Sequence, residues 1–148
     1  MAQTDLLELC ERVVRRARRL GATQAEAFGE RTREATVRVR EGEVEDLTRA
    51  EGKGIGLRVF KEGRLGFAFT SDFSDDGLEL FVRRALALAG AAGRDTANKL
   101  PDERLLKLRN PELHGLFDPE IEALDADWKI AAAKAMERAG KAEDRRIA

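Results

Sequence analysis

In three runs between residues 35 and 69 apolar side chains recur at every second position, with Glu41-Gly42 between the first and second runs and Glu62-Gly63 between the second and third. "EATVRVR" sets Ala35, Val37 and Val39 apart from Thr36, Arg38 and Arg40. After Glu41-Gly42, "KGIGLRVF" sets Ile55, Leu57 and Val59 on one side. After Glu62-Gly63, "RLGFAFT" does the same with Leu65, Phe67 and Phe69. A period of two is the repeat of a strand, and short polar turns between strands allow only antiparallel neighbours. The segment therefore predicts an antiparallel meander with one buried face. Residues 24–31 and 43–50 are patterned less clearly and supply further strands, for four to five in all.

On both sides of the meander the repeat becomes helical. In "DLLELCERVVRRARRL" Leu6, Cys10, Val13, Ala17 and Leu20 share a face, Asp5 and Glu8 fit a capping pair, and Gly21 is a natural stop. Arg15, Arg16, Arg18 and Arg19 cluster near its end. They suit a solvated face that favours the helix dipole, with a phosphate-binding patch as the other reading. Residues 75–92 place Leu78, Phe81, Val82, Ala85, Leu88 and Ala89 together. Ser74 is the expected N-cap, Asp75 and Asp76 suit the first turn, and Gly93 is the end. Past a connector broken by Pro101 and Pro111, Asp118-Pro119 opens a short helix. A last helix follows Asp125, with Trp128, Ala131, Ala135, Ala139 and Ala142 on the side expected to pack. The fold class is α+β. The helices at 5–20 and 75–92 are expected on one face of the sheet, burying Val37, Val39, Ile55, Leu57, Val59, Leu65, Phe67 and Phe69. Residues 1–100 form the main domain, and 101–148 a connector and C-terminal helix.

The string "GKGIGLR" contains alternating glycines. A phosphate loop needs GxxxxGK[ST] between strand and helix, and a dinucleotide fingerprint needs GxGxxG opening a helix; neither is present. In a strand, Gly52, Gly54 and Gly56 instead leave a bare strip on one face, followed by Arg58 and Phe60. A bare strip admits close approach by another element or by an extended peptide. Gly52, Gly54, Gly56 and Arg58 are thus the candidate contact residues for a peptide or partner, and the strip is expected to face another protein segment.

No catalytic residue is expected. The 148 residues include one histidine, His114, and one cysteine, Cys10, too few for a zinc site. Asp72, Asp75 and Asp76 sit where a helix start favours acids, and Ser71 and Ser74 have no histidine base beside them. Trp128 is expected in the core. Charges are 37% of residues but nearly cancel to −1, and aromatics are only 5%, which argues against nucleic acid. No apolar run approaches the ~20 residues of a membrane span, and a soluble cytoplasmic protein is expected.

The order of motifs resembles the N-terminal domain of the TldD/PmbA family. The similar pieces are "GEVED", "GKGIGLRVF", "GRLGFAFTSD", "LELFVRRALALA" and "LFDPEIEALDADWKIAAAKAMERAGKAEDRRI", in register over nearly the whole chain. The details are closer to the PmbA, or TldE, branch. The resemblance implies a cytoplasmic peptidase system once described as a modulator of DNA gyrase. Its catalytic members carry zinc on an HExxxH helix, with a further cysteine, in the C-terminal part. PmbA-like members lack that motif and act as partner subunits. The family forms homo- or heterodimers around a chamber and acts on unfolded peptides. This chain contains no HExxxH and stops where family chains enter their second part. It is expected to be an N-terminal piece with no cofactor of its own, a non-catalytic contributor to the dimer or the peptide chamber. A free-standing interaction module is the alternative.

Overall fold

The computed structural model describes residues 6–102, 104–105, 118–144 and 146–147. Asp5, Pro111 and His114, with most of the expected connector, lie outside them. The element order is α1 (Leu6–Arg19), β1 (Gln24–Arg40), β2 (Glu43–Lys61), β3 (Arg64–Thr70), α2 (Asp75–Ala91), α3 (Pro119–Ala123) and α4 (Ala126–Glu143). The sheet has three strands in the order β1-β2-β3. The expected four to five strands become three because 24–31 and 43–50 are not separate. They are continuous with their neighbours in strands of 17 and 19 residues.

Glu41-Gly42 and Glu62-Gly63 turn the chain as expected. Glu41 and Gly42 have φ of 53° and 80°, and Glu62 and Gly63 have 53° and 74°. Two consecutive left-handed residues make the hairpin turn whose twist matches the strands. Gly21, at φ 101°, ends α1: its N–H donates to Arg18 O at 3.1 Å and Ala22 N–H donates to Ala17 O at 3.0 Å. That bond pattern satisfies carbonyls a helix end would leave bare. Ser74 caps α2, its Oγ accepting from Gly77 N–H at 3.1 Å. The helix closes at Ala92, one residue before the expected Gly93.

The chain divides into two compact units. Unit 1 comprises residues 1–32 and 52–105. Its core joins Leu9, Cys10, Val13 and Ala17 of α1 to Ile55, Leu57 and Val59 of β2 and Leu78, Phe81, Val82, Ala85 and Ala89 of α2. The helices cover one face of the sheet, with α2 lying chiefly on β3. Burying each large aliphatic side chain here contributes about 1.5–3 kcal/mol.

The face that β3 turns to the helices corrects the sequence reading. Leu57 pairs with Ala68 and Val59 with Gly66, whereas Gly56 pairs with Phe69 and Arg58 with Phe67. The helix side of β3 is therefore Gly66 and Ala68. Phe67 and Phe69 point the other way, 58% and 65% exposed, and Leu65 is half-buried. The physical reason is proximity. A Cβ on Gly66 would stand 2.5 Å from Ala89 N and closer still to Ala85 O, so α2 rests directly on the strand backbone. Leu88, expected on the packed side of α2, is 52% exposed.

Unit 2 comprises residues 33–51 and 106–148, and none of its described residues is buried. Val37 and Val39, expected under the helices, belong to this hairpin and are only half-buried. In α4 the partly covered stripe is Ile130, Ala133, Glu137 and Gly140; Ala131, Ala135, Ala139 and Ala142 are exposed, and Trp128 is 54% exposed. Glu137 sets that orientation. Its carboxylate accepts from the N–H of Glu41 at 2.6 Å and of Gly42 at 2.8 Å, and Lys141 lies 2.9 Å away. The alanine face lost to a polar contact that a search for apolar stripes does not register.

Candidate functional site

The glycine strip lies on the face of the unit 1 sheet opposite the helices. The Phe69 ring stands over Gly54 and the Phe67 ring over Gly56, where a Cβ would meet Phe67 Cε2 at 3.2 Å. Gly54 is buried and Gly56 half-buried beneath these rings, and Gly52 is exposed. A Cβ on Gly52 would lie 2.7 Å from Thr32 Oγ1. Glycine removes the side chain that would hold the rings away from the sheet, and each ring lies back across the neighbouring strand.

Strand β1 adds a third ring. Ala25 and Ala27 join the helix-side core, and Gly29 lies under Leu6 and Cys10 of α1. Phe28, between them, therefore projects outward and is 69% exposed. Its carbonyl oxygen is 4.0 Å from where a Gly56 Cβ would stand, which places it across from the strip. Arg58 forms an ion pair with Glu26 on the same face, and its guanidinium carbon is 5.8 Å from the Phe60 ring centre. The outer face thus carries Phe28, Phe67 and Phe69 beside the Arg58–Glu26 ion pair. Arg58 and the three glycines were legible as a group. The rings were not, because alternation marks two faces without telling which one the helices take.

The other candidates have local duties. Asp72 Oδ1 accepts from Ser74 N–H at 2.9 Å, and hydrogen bonds from Ser74, followed by the charge of Lys53, hold its carboxyl below the usual range. Asp75 pairs with Arg12 at 2.5 Å. Ser74 is occupied as the α2 cap. Cys10 is buried in the core, where desolvation pushes its thiol up and away from the thiolate that metals and electrophiles need. Among the described residues no three His, Cys, Asp or Glu side chains come together as metal ligands. Among them, too, no helix is long and apolar enough to cross a membrane.

The described residues thus form an α+β domain with two helices on one face of a three-stranded meander and aromatic rings laid over glycines on the other. The family profile described as PmbA/TldA metallopeptidase domain 1 matches residues 25–89, so that this stretch is similar to the first domain of the PmbA/TldD family. The metalloprotease PmbA of Escherichia coli O157:H7 is 30% identical over 123 residues, which is 83% of this chain and 27% of PmbA. A crystal structure from Bacteroides thetaiotaomicron, described as a candidate modulator of DNA gyrase, superposes with a TM-score of 0.81 at 24% identity. The match covers 93% of this chain and 31% of that one. TldE from Thermococcus kodakarensis gives 0.53 at 18% identity, over 71% of this chain and 26% of TldE. The chain thus spans about a quarter to a third of the length of these relatives.

Proposed function

We propose that this chain serves a PmbA/TldD-type peptidase system in the cytoplasm as a non-catalytic domain. In this reading it contributes to the assembly with a TldD/PmbA-like subunit, as homo- or heterodimer, that encloses unfolded peptides. Any zinc chemistry would belong to the C-terminal part of the catalytic members. The observation that carries the reading is the outer sheet face. The Phe67 and Phe69 rings stand over the glycine strip, and the exposed Phe28 projects on the same side. Exposed apolar surface of this kind suits contact with another polypeptide. Gly52, Gly54, Gly56 and Arg58 lie in this contact face, which would take an extended segment of the partner subunit. The relatives' names support a peptidase setting over the alternative of a free-standing interaction module.

The test is a peptidase assay on unfolded peptide with zinc, run with the chain alone and mixed with a TldD-like subunit, alongside size-exclusion chromatography of the mixture. The expected result is no cleavage by the chain alone and co-elution with the subunit, reduced by Phe67→Ser with Phe28→Ser. Cleavage by the chain alone would contradict the reading. Failure to co-elute would favour the free-standing module.

A further inference from the structure

On the helical side of unit 1, α1 and α2 leave a cleft of about 90 Å³ lined by Arg12, Val13, Arg15, Arg16, Arg19 and Leu78. The four arginines are spaced three and four apart along α1, so they stack on one side of the helix. Val13 and Leu78, each 1% exposed, form an apolar floor. Three carboxylates reach the cluster. Asp75 pairs with Arg12 at 2.5 Å, Glu11 with Arg15 at 3.0 Å, and Glu79 with Arg16 at 3.2 Å; Glu79 also takes Arg83 at 2.7 Å. Among the described residues no carboxylate pairs with Arg19. Five guanidiniums therefore share three carboxylates, and two positive charges stand uncompensated. A seam that served only to fasten α1 to α2 would gain nothing from that excess, because like charges side by side on a helix repel.

We propose that this cleft binds a phosphate-class oxyanion, either inorganic phosphate or a phosphomonoester, through Arg15 and Arg19 with Arg12 and Arg16 beside them. The charge matches, since such a group carries about −1.5 to −2 at pH 7. The donors match as well: a guanidinium engaged on one edge by a carboxylate keeps further N–H groups for a second acceptor, and its fork suits two phosphate oxygens. The volume is sufficient, because one water needs roughly 10–15 Å³ on this scale and the cleft holds several such volumes. The helix dipoles nearly cancel. The end of α1 near Arg19 carries about half a negative charge and the start of α2 near Leu78 about half a positive one, both smaller than the surplus on the arginines. The inference is independent of the peptidase reading, which concerns the other face of the sheet.

The experiment is titration of the full chain with inorganic phosphate, and separately with phosphoserine, at constant ionic strength set by chloride. Heat of binding and backbone amide shifts are recorded together. Saturable binding is expected, with shifts confined to residues 12–19 and 75–79. Arg15→Gln with Arg19→Gln should weaken it at least about tenfold. Arg19→Gln alone, which breaks no ion pair, should also weaken it. Arg18→Gln with Arg84→Gln removes the same charge outside the cleft and should leave binding unchanged. The stronger of the two titrants identifies the source. Absence of saturation, or equal loss in both double variants, would overturn the proposal. Binding of duplex DNA with a steep salt dependence, and of neither titrant, would overturn it in favour of nucleic-acid backbone.

Discussion

Three glycines with different neighbours should respond differently to the same methyl group. At Gly66 the added Cβ would strike the backbone of α2 at Ala85 and Ala89, and neither can move without shifting the helix. Gly66→Ala should cost about 1–3 kcal/mol in a urea melt. At Gly54 the obstacle is the tip of the Phe69 ring, which is exposed and can swing aside. Gly54→Ala should stay within about 0.5 kcal/mol of the parent. At Gly90, inside α2, nothing lies within 4 Å, and alanine there should stabilise by about 0.5–1 kcal/mol. Glu62 poses the reverse problem, a bulky residue held at φ 53°. Asparagine tolerates that region better, so Glu62→Asn should raise the melting temperature.

Among the elements, α2 and α4 show how caps and contacts fix a helix. Replacing Ser74 by alanine removes the acceptor for Gly77 N–H and should lower stability by about 1 kcal/mol. Glu137 fastens α4 to the tip of the first hairpin. Its hydrogen bond from Lys141, with those from the Gly42 and Glu41 amides, holds its carboxyl below the ordinary glutamate value. A depressed carboxyl stabilises the fold above its unfolded value, and the contribution fades as the pH falls through the lower folded value. The Glu41 and Gly42 amide resonances should therefore move together on acidification below about pH 4.5. In Glu137→Gln that acid step should be absent. Caps and turns were readable from the chain because their signals are local: Gly21, Ser74, Asp118, Asp125, Glu41-Gly42 and Glu62-Gly63 stand where they were expected. The orientation of β3 was not readable. Its two faces, Leu-Phe-Phe and Gly-Ala, compete for the helices, and hydrophobicity favours the first. Close packing selects the second, because the backbone of α2 can reach Gly66 but could not pass two phenyl rings. The face that α4 turns inward was missed for a related reason, since it is decided by a carboxylate.

Among the described residues of the molecule, buried side chains are confined to unit 1. Its centre combines residues from both helices and β2, whereas the described residues of unit 2 bury none. Local opening needs least free energy where few apolar contacts are lost. Amides of residues 35–50 should thus exchange with deuterium well ahead of those at 55–60, and equal protection in the two stretches would contradict this picture. The candidate contact face was half legible. Gly52, Gly54, Gly56 and Arg58 could be grouped by spacing alone, but Phe28, Phe67 and Phe69 joined them only once the register was known. The tight seat of α2 on Gly66 reaches beyond the interior. Bulk that finds no room beneath the helix is displaced to the far side of the same strand, so compactness within is matched by stickiness without. At high concentration, copies of this polypeptide should clump through folded molecules, and a mild detergent should disperse them where a refolding agent would not.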